Sequence, residues 1–192
     1  MIKAQTVLKT KYGNFKVSYH QFKNKSCISF SHGNLSKRIP IVRIHSSCLF
    51  GEGFHSLHCD CDYQLTETMK LIEKNKSGII IYSYKEGRGI GLKRKIQAME
   101  IEKIRKCDTV EAFKILGLKK YDYRDYKIEI NALRELKIKK KIKTFTGNPN
   151  KLKALIKAGF KITEKLSGEP LNVSRIAEKE RLTKQEKMGY IY

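Results

Sequence analysis

Apolar and polar positions alternate over the first 45 or so residues, which predicts short strands at 6–8, 15–19, 27–30 and 39–44. Gly13-Asn14 and Gly33-Asn34 punctuate this region as turns. The period then changes. Leu65, Met69 and Ile72 fall on one stripe and predict a helix over 63–75. The continuous apolar run Ile79-Ile80-Ile81-Tyr82 predicts a buried strand, followed by a glycine-rich turn and a helix over about 92–105. A short helix over 109–116 closes at Gly117, and 125–136 carries Ile130, Leu133 and Leu136 on one side. Residues 143–145 are strand-like, and Asn148-Pro149 opens a helix with proline in its first turn, ending at Gly159. A last strand covers 160–166, and the charged tail over 174–188 reads as helix.

The 192 residues suffice for one sizeable core, and no linker or repeat divides them, so a single domain over 1–192 is expected. The chain carries 41 Lys and Arg against 19 Asp and Glu, a net charge of +22. Such a surplus attracts polyanions. Lysines such as Lys137, Lys139, Lys140 and Lys141 are dispersed over solvent faces, with no aromatic-basic platform, which argues against a nucleic-acid binder. No apolar run reaches the roughly 18 residues a membrane span needs, and residues 1–12 lack a signal-peptide core, so a cytoplasmic location is expected.

Cys48, Cys59 and Cys61 are clustered, whereas Cys27 and Cys107 are isolated and expected to pack in the core. Thiolates at this spacing suit zinc. His45, His55 or His58 could close a structural site as fourth ligand; otherwise water takes that position, the pattern of a catalytic centre, and its pKa drops toward about 7. The spacing leaves both open.

Glu86-Gly87-Arg88-Gly89-Ile90-Gly91 lies between a buried strand and a helix, where backbone N–H groups and a helix N-terminus favour an anion. Alone it is equally a tight turn. Arg43, at the end of its strand, the segment Thr146 to Lys151 and the loop Asp122-Tyr123-Arg124-Asp125 add further charged candidates, the last also readable as a surface salt-bridge cluster.

Taken in order, these segments resemble the GTP cyclohydrolase II family. The matching stretches are Arg43-Ile44-His45-Ser46-Ser47-Cys48, Gly51, Ser56-Leu57-His58-Cys59-Asp60-Cys61, Gln64-Leu65 and Glu86 to Leu92. They continue through Asp108 to Ala112, Leu116-Gly117, Asp122 to Tyr126, Thr146 to Lys151 and Glu186 to Gly189. The resemblance implies one catalytic zinc per chain on Cys48, Cys59 and Cys61, with magnesium accompanying the triphosphate. It implies opening of the imidazole ring of GTP, loss of C8 as formate and release of pyrophosphate. Arg43, Ile44, His45, Ser46, Ser47, Gln64, Glu86, Gly87, Arg88, Thr109, Thr146 and Lys151 fall on its GTP-contacting positions. Asp122 falls on its proton acceptor and Arg124 on its nucleophile. A guanidinium stays protonated, so stabilising transition-state charge is a plausible substitute role for Arg124. The implied fold is α+β, a mixed sheet core with a β-rich N-terminal part and covering helices, in a homodimer.

Several positions depart from the family. Met99 stands where tyrosine is usual, Ser47 for glutamate, Asp62 for glycine, Lys85 for glutamine, and Phe113 and Gly147 for asparagines. A thioether cannot donate a hydrogen bond. Met99 would therefore permit ring opening while the formamide stays attached, unless Tyr84, Tyr121 or Tyr123 supplies the hydroxyl or the position only packs. Two other readings compete: a non-catalytic nucleotide-binding paralogue and a basic zinc-containing nucleic-acid binder.

Overall fold

In the computed structural model, which describes residues 1–168 and 173–191, seven strands form one mixed sheet in the order β1-β2-β3-β5-β4-β6-β7. The first three, β1 (Ile2–Thr10), β2 (Gly13–Phe22) and β3 (Lys25–Gly33), are an antiparallel meander. They are longer than the alternation predicted. The first hairpin turns at Lys11-Tyr12, with Gly13 already paired in β2. The second turns at Lys23-Asn24, where Lys23 takes a left-handed φ of 52°; this turn has no glycine to announce it.

β3 pairs antiparallel with β5 (Ser77–Ser83), and from there the sheet is parallel: β5 with β4 (Ile41–Ser46), β4 with β6 (Lys141–Phe145), and β6 with β7 (Lys161–Leu166). The helices are α1 (Cys61–Asn75), α2 (Gly91–Arg105), α3 (Thr109–Ile115), α4 (Lys127–Glu135), α5 (Pro149–Lys157) and α6 (Arg175–Met188). This is the α+β architecture expected, β-rich at its N-terminal end. Among the described residues no helix is long and apolar enough to cross a membrane.

Side chains on a strand alternate between faces, and β4 shows what this does for the site. Val42 and Ile44 pack with Cys27, Ile79, Ile81, Leu133 and Leu155 on the face covered by α4 and α5. Ile41 joins Phe15, Ile72 and Ile80 under α1. Arg43 and His45 share the face of Ile41 and are 2% exposed, charged or polar groups in a wall otherwise apolar. A third cluster, Ala98, Ala112, Phe113 and Leu118 with Cys107 against it, joins α2 to α3. The two isolated cysteines are thus packing residues, as expected. The carboxyl ends of β4, β5 and β6 open toward the loops that follow them, the place where parallel sheets hold ligands.

Candidate active site

A cavity of about 610 Å³ opens at these strand ends. Its walls include Cys48, Cys59 and Cys61, and also Arg43, Arg88, Arg124 and Lys151. That volume is in the usual range for a small-molecule site, about 300–1,000 Å³.

The thiols come together through two local features. Residues Leu49–Gly53 make one wide helical turn straight after Cys48, and Cys61 is the first residue of α1. The positive end of α1 favours a thiolate there. All three Sγ atoms lie within 4.8 Å of one another, with Cys48 and Cys59 at 3.6 Å. Tetrahedral zinc with Zn–S near 2.3 Å spaces its sulfurs by roughly 3.8 Å, so the set fits. Gly51 has no side chain because none would fit: a Cβ would sit 2.9 Å from the Cys59 sulfur and 3.3 Å from that of Cys48. Hydrogen bonds from Cys59 and Cys61 hold the pKa of Cys48 far down, and the same contacts push theirs up. No histidine joins the set among the described residues. His55 and His58 are exposed, and His45 lies between Arg43 and Glu52. Burial, then the charges of Arg43 and Lys151, keep His45 neutral. A catalytic arrangement with three protein ligands is therefore the better fit than a closed structural one.

Arg43 is the third residue of β4 rather than its end, and it faces inward. Its three nitrogens donate to His45 Nδ1 (3.0 Å), the Phe145 carbonyl (2.6 Å) and Gln64 Oε1 (2.6 Å). Gln64 Nε2 in turn donates to Asp60 Oδ2 at 2.7 Å, which fixes the amide at both ends. The Asp122–Arg124 pair is buried, not a surface cluster: their side chains are 6% and 8% exposed. Arg124 donates to both oxygens of Asp122, at 2.8 and 2.7 Å, and also to Ser46 Oγ at 3.3 Å and Tyr190 Oη at 3.1 Å. Although burial opposes it, Asp122 raises the guanidinium pKa further, so Arg124 keeps its proton. Lys151 stands in the first turn of α5, which Asn148 caps. Burial, then the like charges of Arg124 and Arg43, drive its pKa far below the ordinary lysine value. Positive groups crowded against one another in a cavity wall are stabilised by an anion.

Arg88 sits in the Glu86–Gly89 turn with a left-handed φ of 57°. It lies 5.4 Å from the Phe113 ring and pairs with Glu180 of α6. Phe113 thus supports Arg88 from beneath. Lys85 pairs at 2.9 Å with the fully buried Glu129, anchoring the start of the same turn on α4. Gly87 has a left-handed φ of 58°, and a Cβ there would lie a tight 3.0 Å from the Lys95 stem.

Of the residues singled out from the sequence, His45, Ser46, Ser47, Gln64, Glu86, Gly87, Met99, Thr109 and Thr146 also line the cavity. Ile44 does not: its side chain is in the core on the other face. Asp122 does not line it either and acts through Arg124. Tyr84, Tyr121 and Tyr123 are absent from the walls, and the phenol that is present is Tyr190, hydrogen-bonded to Arg124 and Asn148. The sequence also gave no sign of the tail's position. Helix α6 lies over the cavity, tied by Ser174 to the Leu57 carbonyl, Glu180 to Arg88, Lys187 to Asp108 and the Ile191 N–H to the Gly147 carbonyl. Residues 169–172 of that tail lie outside the described residues. Two more residues escaped notice. Glu52 accepts from the Cys48 N–H (2.9 Å) and Tyr82 (2.7 Å) and meets His45 at 2.8 Å; nothing in its sequence context marks it. Lys95 touches Cys48, and only its spacing of one helical turn from Met99 could have flagged it.

The chain matches the family described as GTP cyclohydrolase II over residues 2–167. It is 38% identical over 193 residues to a GTP cyclohydrolase-2 of Haemophilus influenzae, covering 97% of this chain and 87% of that one. It is 39% identical to a GTP cyclohydrolase-2 of Buchnera aphidicola, covering 97% and 95%. A riboflavin biosynthesis protein RibBA of Endomicrobium trichonymphae is 41% identical over 187 residues, and there the chain spans less than half, 45%, of the relative's length. The sheet, the three-thiol cavity and these matches together place the chain in the GTP cyclohydrolase II family of enzymes.

Proposed function

We propose that this protein opens the imidazole ring of GTP by adding water at C8 and releases pyrophosphate, serving riboflavin biosynthesis. The observation that carries the reading is the meeting of the Cys48, Cys59 and Cys61 thiols with Arg43, Arg88, Arg124 and Lys151 in one cavity. Cys48, Cys59 and Cys61 would hold a zinc ion, which would supply Lewis acidity and lower the pKa of water for that attack. The chain's own groups do the rest. Lys151 and Arg88 take the triphosphate, with its magnesium, and the anion relieves the repulsion around Lys151. Arg124, kept protonated and aimed by Asp122, stabilises charge as pyrophosphate leaves. Arg43 holds Gln64 in one orientation, presenting a fixed amide to the base. The protein is expected to act in the cytoplasm and, on the strength of the family resemblance, as a homodimer.

Met99 bears on the product. It lines the cavity without a proton to donate, and Tyr190 is engaged with Arg124 and Asn148. This favours release of the ring-opened formamide over complete loss of formate. Zinc-loaded protein incubated with GTP should yield pyrophosphate equal to the GTP consumed, with formate falling short of it. Met99→Tyr should bring formate up to the same amount. No loss of GTP sinks the whole reading; formate equal to pyrophosphate in the unaltered protein sinks only the role of Met99.

A further inference from the structure

Lys95 lines the cavity and touches the thiol group, but no role described so far uses it. Its ammonium is 3.2 Å from Cys48 Sγ, 2.7 Å from Glu86 Oε1 and 4.7 Å from the centre of the Phe50 ring. Its side chain is only 18% exposed. Three features hold it there. Its stem packs beneath Gly87, where a Cβ would sit a tight 3.0 Å from it. Glu86 anchors the ammonium, and its second oxygen accepts from the N–H of Leu49 at 2.8 Å, the residue after Cys48. Phe50, two residues after Cys48, offers its ring face to the charge. The ring of contacts therefore closes on Cys48 itself: Cys48 Sγ to Lys95, Lys95 to Glu86, Glu86 to Leu49.

A divalent ion with three thiolates carries a net charge of −1, and so many soft donors quench its Lewis acidity. A cation hydrogen-bonded to one sulfur withdraws charge from it, and losing a partner of this outer kind typically costs about 10- to 100-fold in metal affinity or activity. We propose that Lys95 is a positioning residue for the metal centre: it orients Cys48 and offsets one thiolate charge, making the bound metal a stronger electrophile. This deepens the zinc reading and rests on it.

The test uses the full chain loaded with cobalt(II), whose thiolate-to-metal charge-transfer band reports on the sulfur directly. Lys95→Met should move that band to longer wavelength, because a sulfur without its hydrogen bond gives up an electron more readily. It should also weaken zinc binding in competition with a chromogenic chelator and lower kcat, each by about 10- to 100-fold. Lys95→Arg, which keeps a charge and donors, should restore the band most of the way. Thermal melts of both variants within a few degrees of the parent show that the fold is intact. A Lys95→Met protein whose band and zinc affinity are unchanged overturns the proposal and leaves Lys95 as a partner of Glu86 alone. Parent protein that takes up neither zinc nor cobalt overturns the zinc reading, and this one with it.

Discussion

Cys48, Cys59 and Cys61 reach one another from a single stretch of chain between β4 and the first turn of α1. Arg43, Arg88, Arg124 and Lys151 come from four separate places: β4, the turn before α2, the loop before α4, and α5. The thiols are held by backbone and close packing, with Gly51 leaving no slack. Most of the cations are held by acceptors of the protein itself, Arg43 by a carbonyl and an amide, Arg124 by Asp122, Arg88 by Glu180. Lys151 is held by its place in the first turn of α5, its backbone N–H bonded to the Asn148 cap. A compact ligand set has no spare member, whereas a dispersed set of charges shares its task. Losses among the thiols should therefore be all-or-none, and losses among the cations graded.

The largest effect is expected from Cys61→Ser. It should abolish zinc retention, measured by atomic emission, and lower GTP turnover by about a thousandfold or more, since nothing else lowers the pKa of water to this degree. Arg124→Lys comes next. It keeps the charge but loses the two-pronged pairing with Asp122, and kcat should fall about 100-fold with bound zinc unchanged. If it falls as far as with Cys61→Ser, the cations are not a graded set.

Lys151→Met should cut both ways. KM for GTP is expected to rise about tenfold, the worth of one charged contact near 1.4 kcal/mol. The substrate-free protein should become more stable, by about 1 kcal/mol or 2–4 °C in Tm, because folding no longer has to bury an amine among other cations and strip it of its proton. The pH dependence has a definite sign. The folded pKa of Lys151 is depressed, so over the window from that value up to the ordinary lysine value of about 10.4 the unfolded chain holds a proton that the folded chain has released. Stability thus rises with pH across this window in the parent, and Lys151→Met should flatten that rise. Denaturant titrations at a series of pH values read it.

The smallest effect concerns the tail. Helix α6 buries only Ala177 and Thr183 and is held mainly by polar ties, so it should come away cheaply. Glu180→Gln frees Arg88 from a carboxylate standing where a phosphate would go, and KM for GTP should fall about two- to fivefold. An unchanged KM would mean that Arg88 does not meet the triphosphate.

The same contrast explains what could be read from the sequence. Elements with a strong period, such as α1 with Leu65, Met69 and Ile72 or the buried run of β5, were legible because each period has one structural meaning. The thiol group was legible for a similar reason, since its members are close in the chain. Whether a histidine completes it was not: that required the exposure of His55 and His58 and the engagement of His45, which are tertiary facts. Single motifs among the cations could be suspected, but their convergence depends on strand order. Strand alternation could have removed Ile44 from the side chains facing the cavity, given Arg43 and His45 on either side of it. The hairpin at Lys23-Asn24, the ties of α6, and the contacts of Glu52 and Lys95 left no local mark, because each depends on a partner distant in sequence or on a backbone conformation its residue type does not favour.

The central claim is that a single metal on Cys48, Cys59 and Cys61 opens GTP in this cavity. Metal-free protein titrated with zinc, with the loss of guanine absorbance followed at each step, tests it most directly. Turnover should rise in proportion to zinc and level off at one ion per chain, and Cys61→Ser should stay silent throughout. Turnover by the metal-free protein, or none at any zinc content, would contradict the account.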